Sequence, residues 1–177
     1  MELKLKGAEA NVGGFKQLMV SMKWTTAADF DLAAAYEAKD GKQGLVYFGK
    51  LGDLNSFPFM QLSGDEGVGD SGGENEETMR ITQLDEMNYV WLLCWDYGKV
   101  KDGGPARFSD SDVSLSVMDD KGTSHNVNLD TGDMGNVALL ATIDNSSPIG
   151  AKLINSSKAG TLKGLQNLQQ LMDIIQG

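Results

Sequence analysis

Apolar and polar residues alternate with a period of two in many short segments of this chain. Such alternation indicates β-strands that bury one face and expose the other. The pattern predicts about nine or ten strands, at residues 1–6, 17–24, 30–36, 44–48, 78–84, 88–96, 113–118, 124–129, 137–143 and 151–154. The strand at 88–96 is almost wholly apolar, which predicts a central position with both faces covered.

A helical pattern occurs only near the C-terminus. Six apolar residues are spaced mostly three or four apart there, between polar positions: Leu162, Leu165, Leu168, Leu171, Met172 and Ile175. This spacing predicts an amphipathic helix at about residues 160–176 whose apolar stripe docks on the rest of the protein. Together the patterns predict an all-β fold, a two-sheet β-sandwich with a C-terminal amphipathic helix, built as a single domain over residues 1–177.

The composition narrows the class of protein. The chain has 177 residues, enough for one domain with its own core, and its 22 glycines against 3 prolines favour many turns. It has one cysteine, and residues 1–6 alternate instead of forming the apolar stretch of a secretory signal, so we expect a cytoplasmic protein. No run approaches the ~18 apolar residues of a membrane span. A net charge of −10 disfavours binding to nucleic acids.

The acidic charge is concentrated in one glycine-rich segment, residues 63–77. It contains five glycines, no Lys or Arg, and six acids: Asp65, Glu66, Asp70, Glu74, Glu76 and Glu77. Calcium prefers six to eight oxygen ligands, and glycines allow several oxygens to converge on one point. The segment therefore fits calcium, although an acidic segment of this kind can also be a solvated loop that binds nothing. It lacks the ligand spacing of an EF-hand, and its many carboxylates exceed what magnesium uses.

Two other sites are disfavoured. Residues 67–72 match the dinucleotide pattern G-x-G-x-x-G, but they lie among carboxylates that would repel a pyrophosphate, and no helix follows them. Cys94 and His125 are the only candidates for a thiol–imidazole pair. We expect Cys94 to be a small buried apolar residue within its strand and His125 to be exposed, so we expect no catalysis. One Cys and one His cannot complete a zinc site.

The order of several motifs resembles the TerD-like family of tellurite-resistance and stress proteins. The motifs are a strand that ends at Trp24, the D-F-D-L strand at residues 29–32, the Gly64–Asp65 pair that opens the acidic segment, and a long strand that ends in Asp96. The resemblance covers about residues 1–145. Within the family, residues 48–52 and 57–59 look closer to a TerA-like branch.

The resemblance implies a β-sandwich whose loops at one end bind calcium, and a role in bacterial resistance to tellurite and other stresses. Two departures remove oxygen ligands, Ala33 in place of an aspartate and the stretch Phe48–Lys50 in place of a Tyr-Asn-Asn run, so a two-ion site is expected to be reduced or weakened here. Carried onto this sequence, the metal ligands are Asp29, Asp31, Asp65, Val68, Asp70, Glu74, Glu76 and Glu77.

We therefore expect a non-enzymatic, calcium-binding module of a bacterial stress-response or tellurite-resistance system. Its expected partners are calcium ions and other proteins of that system. The alternative is an interaction scaffold of the same system whose acidic segment holds no metal tightly. The sequence leaves open the number and affinity of the ions, the partner and the oligomeric state.

Overall fold

The structure is a computed structural model that describes residues 2–12, 17–24, 30–63, 75–96, 113–129, 131, 135–148, 150–162 and 168–176. These residues form thirteen strands and one helix. The elements are β1 (Glu2–Leu3), β2 (Glu9–Asn11), β3 (Leu18–Trp24), β4 (Phe30–Ala38), β5 (Gln43–Val46), β6 (Gly52–Asp53), β7 (Met60–Leu62), β8 (Asn75–Ile81), β9 (Met87–Asp96), β10 (Ser114–Asp119), β11 (Ser124–Asn128), β12 (Val137–Asp144), β13 (Lys152–Gly160) and α1 (Leu168–Gln176).

The strands form two sheets. Sheet A has seven strands in the order β1-β11-β10-β3-β8-β7-β6, and sheet B has six in the order β2-β13-β12-β9-β4-β5. The pair β1–β11 is parallel, whereas the central pairs β3–β8 and β4–β9 are antiparallel. The predicted two-sheet β-sandwich is confirmed.

The strands of sheet A alternate because only one of their faces is buried. In β3 the side chains of Leu18, Val20, Met22 and Trp24 lie in the core between the sheets, whereas Lys23 is exposed. Residues two apart on a strand share a face, so one sheet face is apolar and the other polar.

The central strands of sheet B are buried on both faces. In β9, Val90, Leu92 and Cys94 belong to the core between the sheets. Trp91, Leu93 and Trp95 belong to a second apolar cluster on the outer face of sheet B, with Leu171, Met172 and Ile175 of α1. The prediction that residues 88–96 are covered on both faces is confirmed, and so is the docking of the helix.

Some element boundaries differ from the predictions. The short strands β2, β6 and β7 were not predicted, because two or three residues are too few to show a period. The last strand was predicted to end at Ile154 but continues to Gly160. The predicted helix start at about residue 160 is wrong for the same reason, since Gly160 ends β13 and α1 begins at Leu168 within the described residues.

Strand β8 also begins three residues earlier than predicted. Asn75, Glu76 and Glu77 pair with Trp24, Lys23 and Met22 of β3. The last three residues of the acidic segment are therefore strand, and sheet geometry fixes the direction of the two glutamates.

Four strand ends meet at one end of the sandwich, which we call the acidic end. Trp24 pairs with Asn75 in sheet A, and Phe30 pairs with Asp96 in sheet B. The rings of Trp24 and Phe30 contact each other, with centroids 5.8 Å apart, and so join the sheets there. The acidic segment enters β8 at this end.

Candidate functional site

Glu77 is a buried carboxylate at the acidic end. It lies on the same face of β8 as Met79 and Ile81, which belong to the core between the sheets, and only 2% of it is exposed. The backbone N–H of Leu32 on β4 donates a hydrogen bond to its Oε2 at 3.2 Å. Glu77 therefore reaches from sheet A to sheet B.

The pairing of β4 explains why that N–H bonds a side chain. Strand β5 pairs with β4 only from Ala34 to Glu37, so the first residues of β4 have no strand partner on that side among the described residues. A buried backbone N–H that lacks a strand partner needs another acceptor. The Glu77 carboxylate supplies it, and this bond fixes its position at the edge of sheet B.

Two further carboxylates lie on β4 and β9 near the acidic end. Asp31 precedes Leu32 on β4 and is 2% exposed, and Asp96 ends β9. Burial raises the pKa of the Cys94 thiol well above its ordinary value, and the negative charges of Glu77, Asp31 and Asp96 raise it further. Alternation along β4 places Asp31 on the outer face of sheet B with Ala33, whereas Glu77 lies on the inner face of sheet A.

Glu76 lies on the opposite face of the same strand. Its Oε2 accepts a hydrogen bond of 2.5 Å from the hydroxyl of Ser21 and is 3.6 Å from Nζ of Lys23. Successive strand residues point to opposite faces, so Glu76 and Glu77, adjacent in sequence, are separated by the sheet itself.

The remaining predicted ligands cannot be placed. Asp29, Asp65, Val68, Asp70 and Glu74 lie outside the described residues. Within the part of the chain that the structure does describe, no group of three or more His, Cys, Asp or Glu side chains is arranged to hold a metal ion.

Sequence reasoning was right about Cys94 and wrong about His125. Cys94 is fully buried, as predicted. His125 was expected to be exposed, but it is 7% exposed, because alternation along β11 places it on the same face as the core residue Val127. Its neighbours Ser124 and Asn126 are polar, so the sequence does not show which face of the strand His125 occupies.

Asp96 was not among the predicted ligands, although it pairs with Phe30 at the acidic end. The available signal was its place at the end of an apolar strand that pairs with the D-F-D-L strand. In the part of the chain that the structure describes, the one helix has 9 residues and is too short for a membrane span.

Comparison with known proteins gives structural but no sequence relatives. No family model and no curated protein matches the chain. The solved structure of SAV2460, a protein of unknown function, matches with a TM-score of 0.57 and 15% identity, covering 82% of this chain and 92% of that one. A homologue of the telluride resistance protein TerD from Streptomyces coelicolor A3(2) matches with a TM-score of 0.55 and 20% identity, covering 80% of this chain and 88% of that one. The TerA-like branch stays a prediction, and the chain has a TerD-like β-sandwich fold.

Proposed function

We propose that this protein is a non-enzymatic, calcium-binding member of a bacterial stress-response or tellurite-resistance system. The likeness to a homologue of telluride resistance protein supports the biological setting. The observation that carries the calcium part is Glu77, a carboxylate buried between the sheets where the acidic segment joins β8.

The donor chemistry at the acidic end fits calcium. The described donors are carboxylate oxygens, which are hard ligands of the kind calcium takes. Burying carboxylates close to one another costs free energy unless a cation or hydrogen bonds compensate. Glu77 would hold the ion from sheet A at the edge of β4, Asp31 would reach it around that edge from the outer face, and the acidic segment would supply further oxygens.

Calcium would contribute charge neutralisation and a link between the two sheets, without chemical turnover. Ala33 lies fully buried in the cluster beneath α1, so the position at which the resemblance expects a further aspartate is apolar here. This supports a site with fewer ligands than the resemblance implies.

The properties of Cys94 and His125 support a non-enzymatic role. The raised pKa of the Cys94 thiol disfavours the thiolate that a nucleophile needs. Burial lowers the pKa of His125, and the positively charged N-terminus lowers it further. A reactive thiolate–imidazolium pair requires the opposite shift at both groups.

The test is a thermal melt of metal-stripped protein with EDTA, calcium or magnesium. A ligand that binds only the folded state stabilises it by about 2.7 kcal/mol at 100 times its Kd, or about 5–10 °C in the midpoint of a chain this size. We expect saturating calcium to raise the melting midpoint by about 5–10 °C and magnesium to raise it by less.

Two adjacent glutamates provide matched variants. Glu77→Gln keeps the shape of the side chain and removes its charge, so we expect it to abolish most of the calcium-dependent rise. Glu76→Gln makes the same change on the opposite face and should retain the rise. Calcium titration by calorimetry at a temperature where both variants are folded separates lost binding from lost stability.

No rise of the midpoint with calcium would overturn the calcium proposal. The remaining interpretation would then be the scaffold of the same system, in which partner proteins recognise the sandwich surface. An equal loss in both variants would instead show that the carboxylates act through overall charge and not through a site at Glu77.

A further inference from the structure

A cavity lies at the end of the sandwich opposite to the acidic end. It has a volume of about 430 Å³, which is within the range of small-molecule sites, about 300–1,000 Å³. Two turns border it, the turn at residues 39–42 between β4 and β5 and the turn at residues 85–86 before β9. Because β4 begins and β9 ends at the acidic end, these turns lie at the other end, away from Glu77.

The two turns bring charges of both signs to the cavity. The first turn carries Lys39 and Lys42, and the second consists of an aspartate and a glutamate, Asp85 and Glu86. All four residues are exposed, and within the described part of the chain none of them takes part in an ion pair. Asp40 also lies in the first turn, where its Oδ1 accepts a hydrogen bond of 2.9 Å from the backbone N–H of Lys42. The first turn thus offers two ammonium groups to a ligand, and the second offers two carboxylates.

Hydrogen bonds fix the two turns to each other and to the sheet. The backbone N–H of Lys39 donates to the backbone carbonyl of Glu86 at 2.8 Å. The Nδ2 of Asn145 donates to the backbone carbonyls of Leu84 and Met87, at 2.9 and 3.2 Å, and so brackets the second turn. Because the backbone of both turns is held before any ligand binds, little conformational entropy is lost when a ligand contacts both.

Phe57 adds apolar surface to the cavity that it lines. Its ring is partly buried and meets the ring of Tyr36 edge to face, with centroids 5.5 Å apart and an interplanar angle of 82°. The Nζ of Lys42 lies 5.4 Å from the centre of the Phe57 ring, and this contact favours a position of the ammonium beside the ring. Apolar surface and charges of both signs therefore border one cavity.

We propose that this cavity binds a small zwitterion, a free α-amino acid with an apolar side chain. Its carboxylate would face Lys39 and Lys42, its ammonium group would face the turn at residues 85–86, and its side chain would lie against Phe57. A ligand with a single charge is attracted by one turn and repelled by the other, whereas a zwitterion can face each turn with the opposite charge. The arrangement therefore favours a ligand that carries both charges.

The test uses phenylalanine as the probe and two ligands with a single charge as its controls. 3-Phenylpropionate lacks the ammonium group, and phenethylamine lacks the carboxylate. Binding is followed by the backbone amide NMR signals of residues 38–42 and 84–87. We expect saturable binding of phenylalanine with a Kd below about 1 mM, and binding of each control about fivefold weaker, because each control loses one ionic attraction.

Variants that remove opposite charges give the decisive comparison. Lys42→Gln and Asp85→Asn should each weaken phenylalanine binding by about two- to fivefold, the effect of one exposed ion pair. The net charge of the protein cannot produce this result, because the two substitutions change it in opposite directions. Lys50→Gln is the control, since Lys50 is exposed between β5 and β6 and lies outside the cavity. All three side chains are exposed, so the variants should remain folded.

The proposal is overturned if phenylalanine causes no saturable shift of these amide signals up to about 10 mM. It is also overturned if either singly charged control binds as tightly as phenylalanine, or if Lys42→Gln or Asp85→Asn retains the full affinity. A loss in Lys50→Gln equal to that in the two cavity variants would have the same consequence.

Discussion

The two outer faces of the sandwich differ, although the inner faces are alike. The outer face of sheet A carries polar side chains such as Ser21, Lys23, Glu76 and Ser116, and it has no helix over it among the described residues. The outer face of sheet B carries Ala33, Ala35, Trp91, Leu93 and Trp95 beneath α1.

This difference between the outer faces follows from the pattern of apolar residues in each strand. One-sided burial produces alternation, and two-sided burial produces a continuous apolar run. Helix α1 is therefore part of the core that sheet B requires, whereas sheet A is complete without a cover. The comparison predicts unequal responses to the same substitution on the two faces.

Truncation beneath the helix should have the largest effect. Leu171 is fully buried, and we expect Leu171→Ala to lower the free energy of unfolding by about 2–5 kcal/mol, through lost burial and the cavity left behind. Urea denaturation measures the change.

Met118→Ala is the control on the outer face of sheet A. Met118 is 46% exposed, and its truncation should change the free energy of unfolding by no more than about 0.5 kcal/mol. Similar losses in the two variants would mean that α1 contributes no more to stability than an exposed side chain does.

Loss of the connection that leads into the helix should rank second. The side chain of Asn136 binds Leu162 twice, donating from Nδ2 to the backbone carbonyl and accepting from the backbone N–H at its Oδ1, each at 2.7 Å. Leu162 is buried, so Asn136→Ala leaves two buried backbone groups without this partner. We expect a loss of about 1–3 kcal/mol, with faster amide exchange in α1.

A second asparagine offers a matched comparison on the other sheet. The Nδ2 of Asn126 donates to Oε1 of Glu2 at 2.8 Å in an exposed pair. Asn126→Ala should cost no more than about 0.5 kcal/mol, because water replaces the lost bond. Equal losses at Asn136 and Asn126 would contradict a special role for the Leu162 contact.

The sequence predicted the architecture better than the details of the candidate site. Periodicity identified the long strands and the helix, because their burial is set by many residues at once. Periodicity did not identify β6, which has only two residues. It also placed Glu77 in a loop, because no local pattern shows that β8 begins at Asn75 and pairs there with β3. The sequence gives no reason to treat Glu76 and Glu77 differently. Only the register of β8 shows that their side chains lie on opposite faces of sheet A.

The polar outer face of sheet A predicts a small effect for its ion pair. Lys23 and Glu76 have side chains 56% and 48% exposed, and such pairs contribute about 0.2–1 kcal/mol. Lys23→Gln should therefore cost no more than that, and added salt should shrink the difference from the unmodified protein. If Lys23→Gln lowered the free energy of unfolding as much as Leu171→Ala does, the outer face of sheet A would contribute more to stability than an exposed ion pair can.

The smallest expected effect concerns protonation on the inner side of sheet A. His125 lies among buried residues, and burial lowers its pKa, with a further lowering from the N-terminal charge and an opposing influence of Asp119. The unfolded chain takes up the proton near the ordinary value of about 6.5, whereas the folded protein takes it up only at lower pH. The stability due to the neutral imidazole is thus fully present above the ordinary pKa, and it falls as the pH drops from there toward the folded value. His125 is the only histidine, so the difference in the free energy of unfolding between the unmodified protein and His125→Gln, measured by urea titration, isolates its contribution. If this difference stays constant between about pH 7.5 and 5, the predicted effect of His125 on stability is wrong.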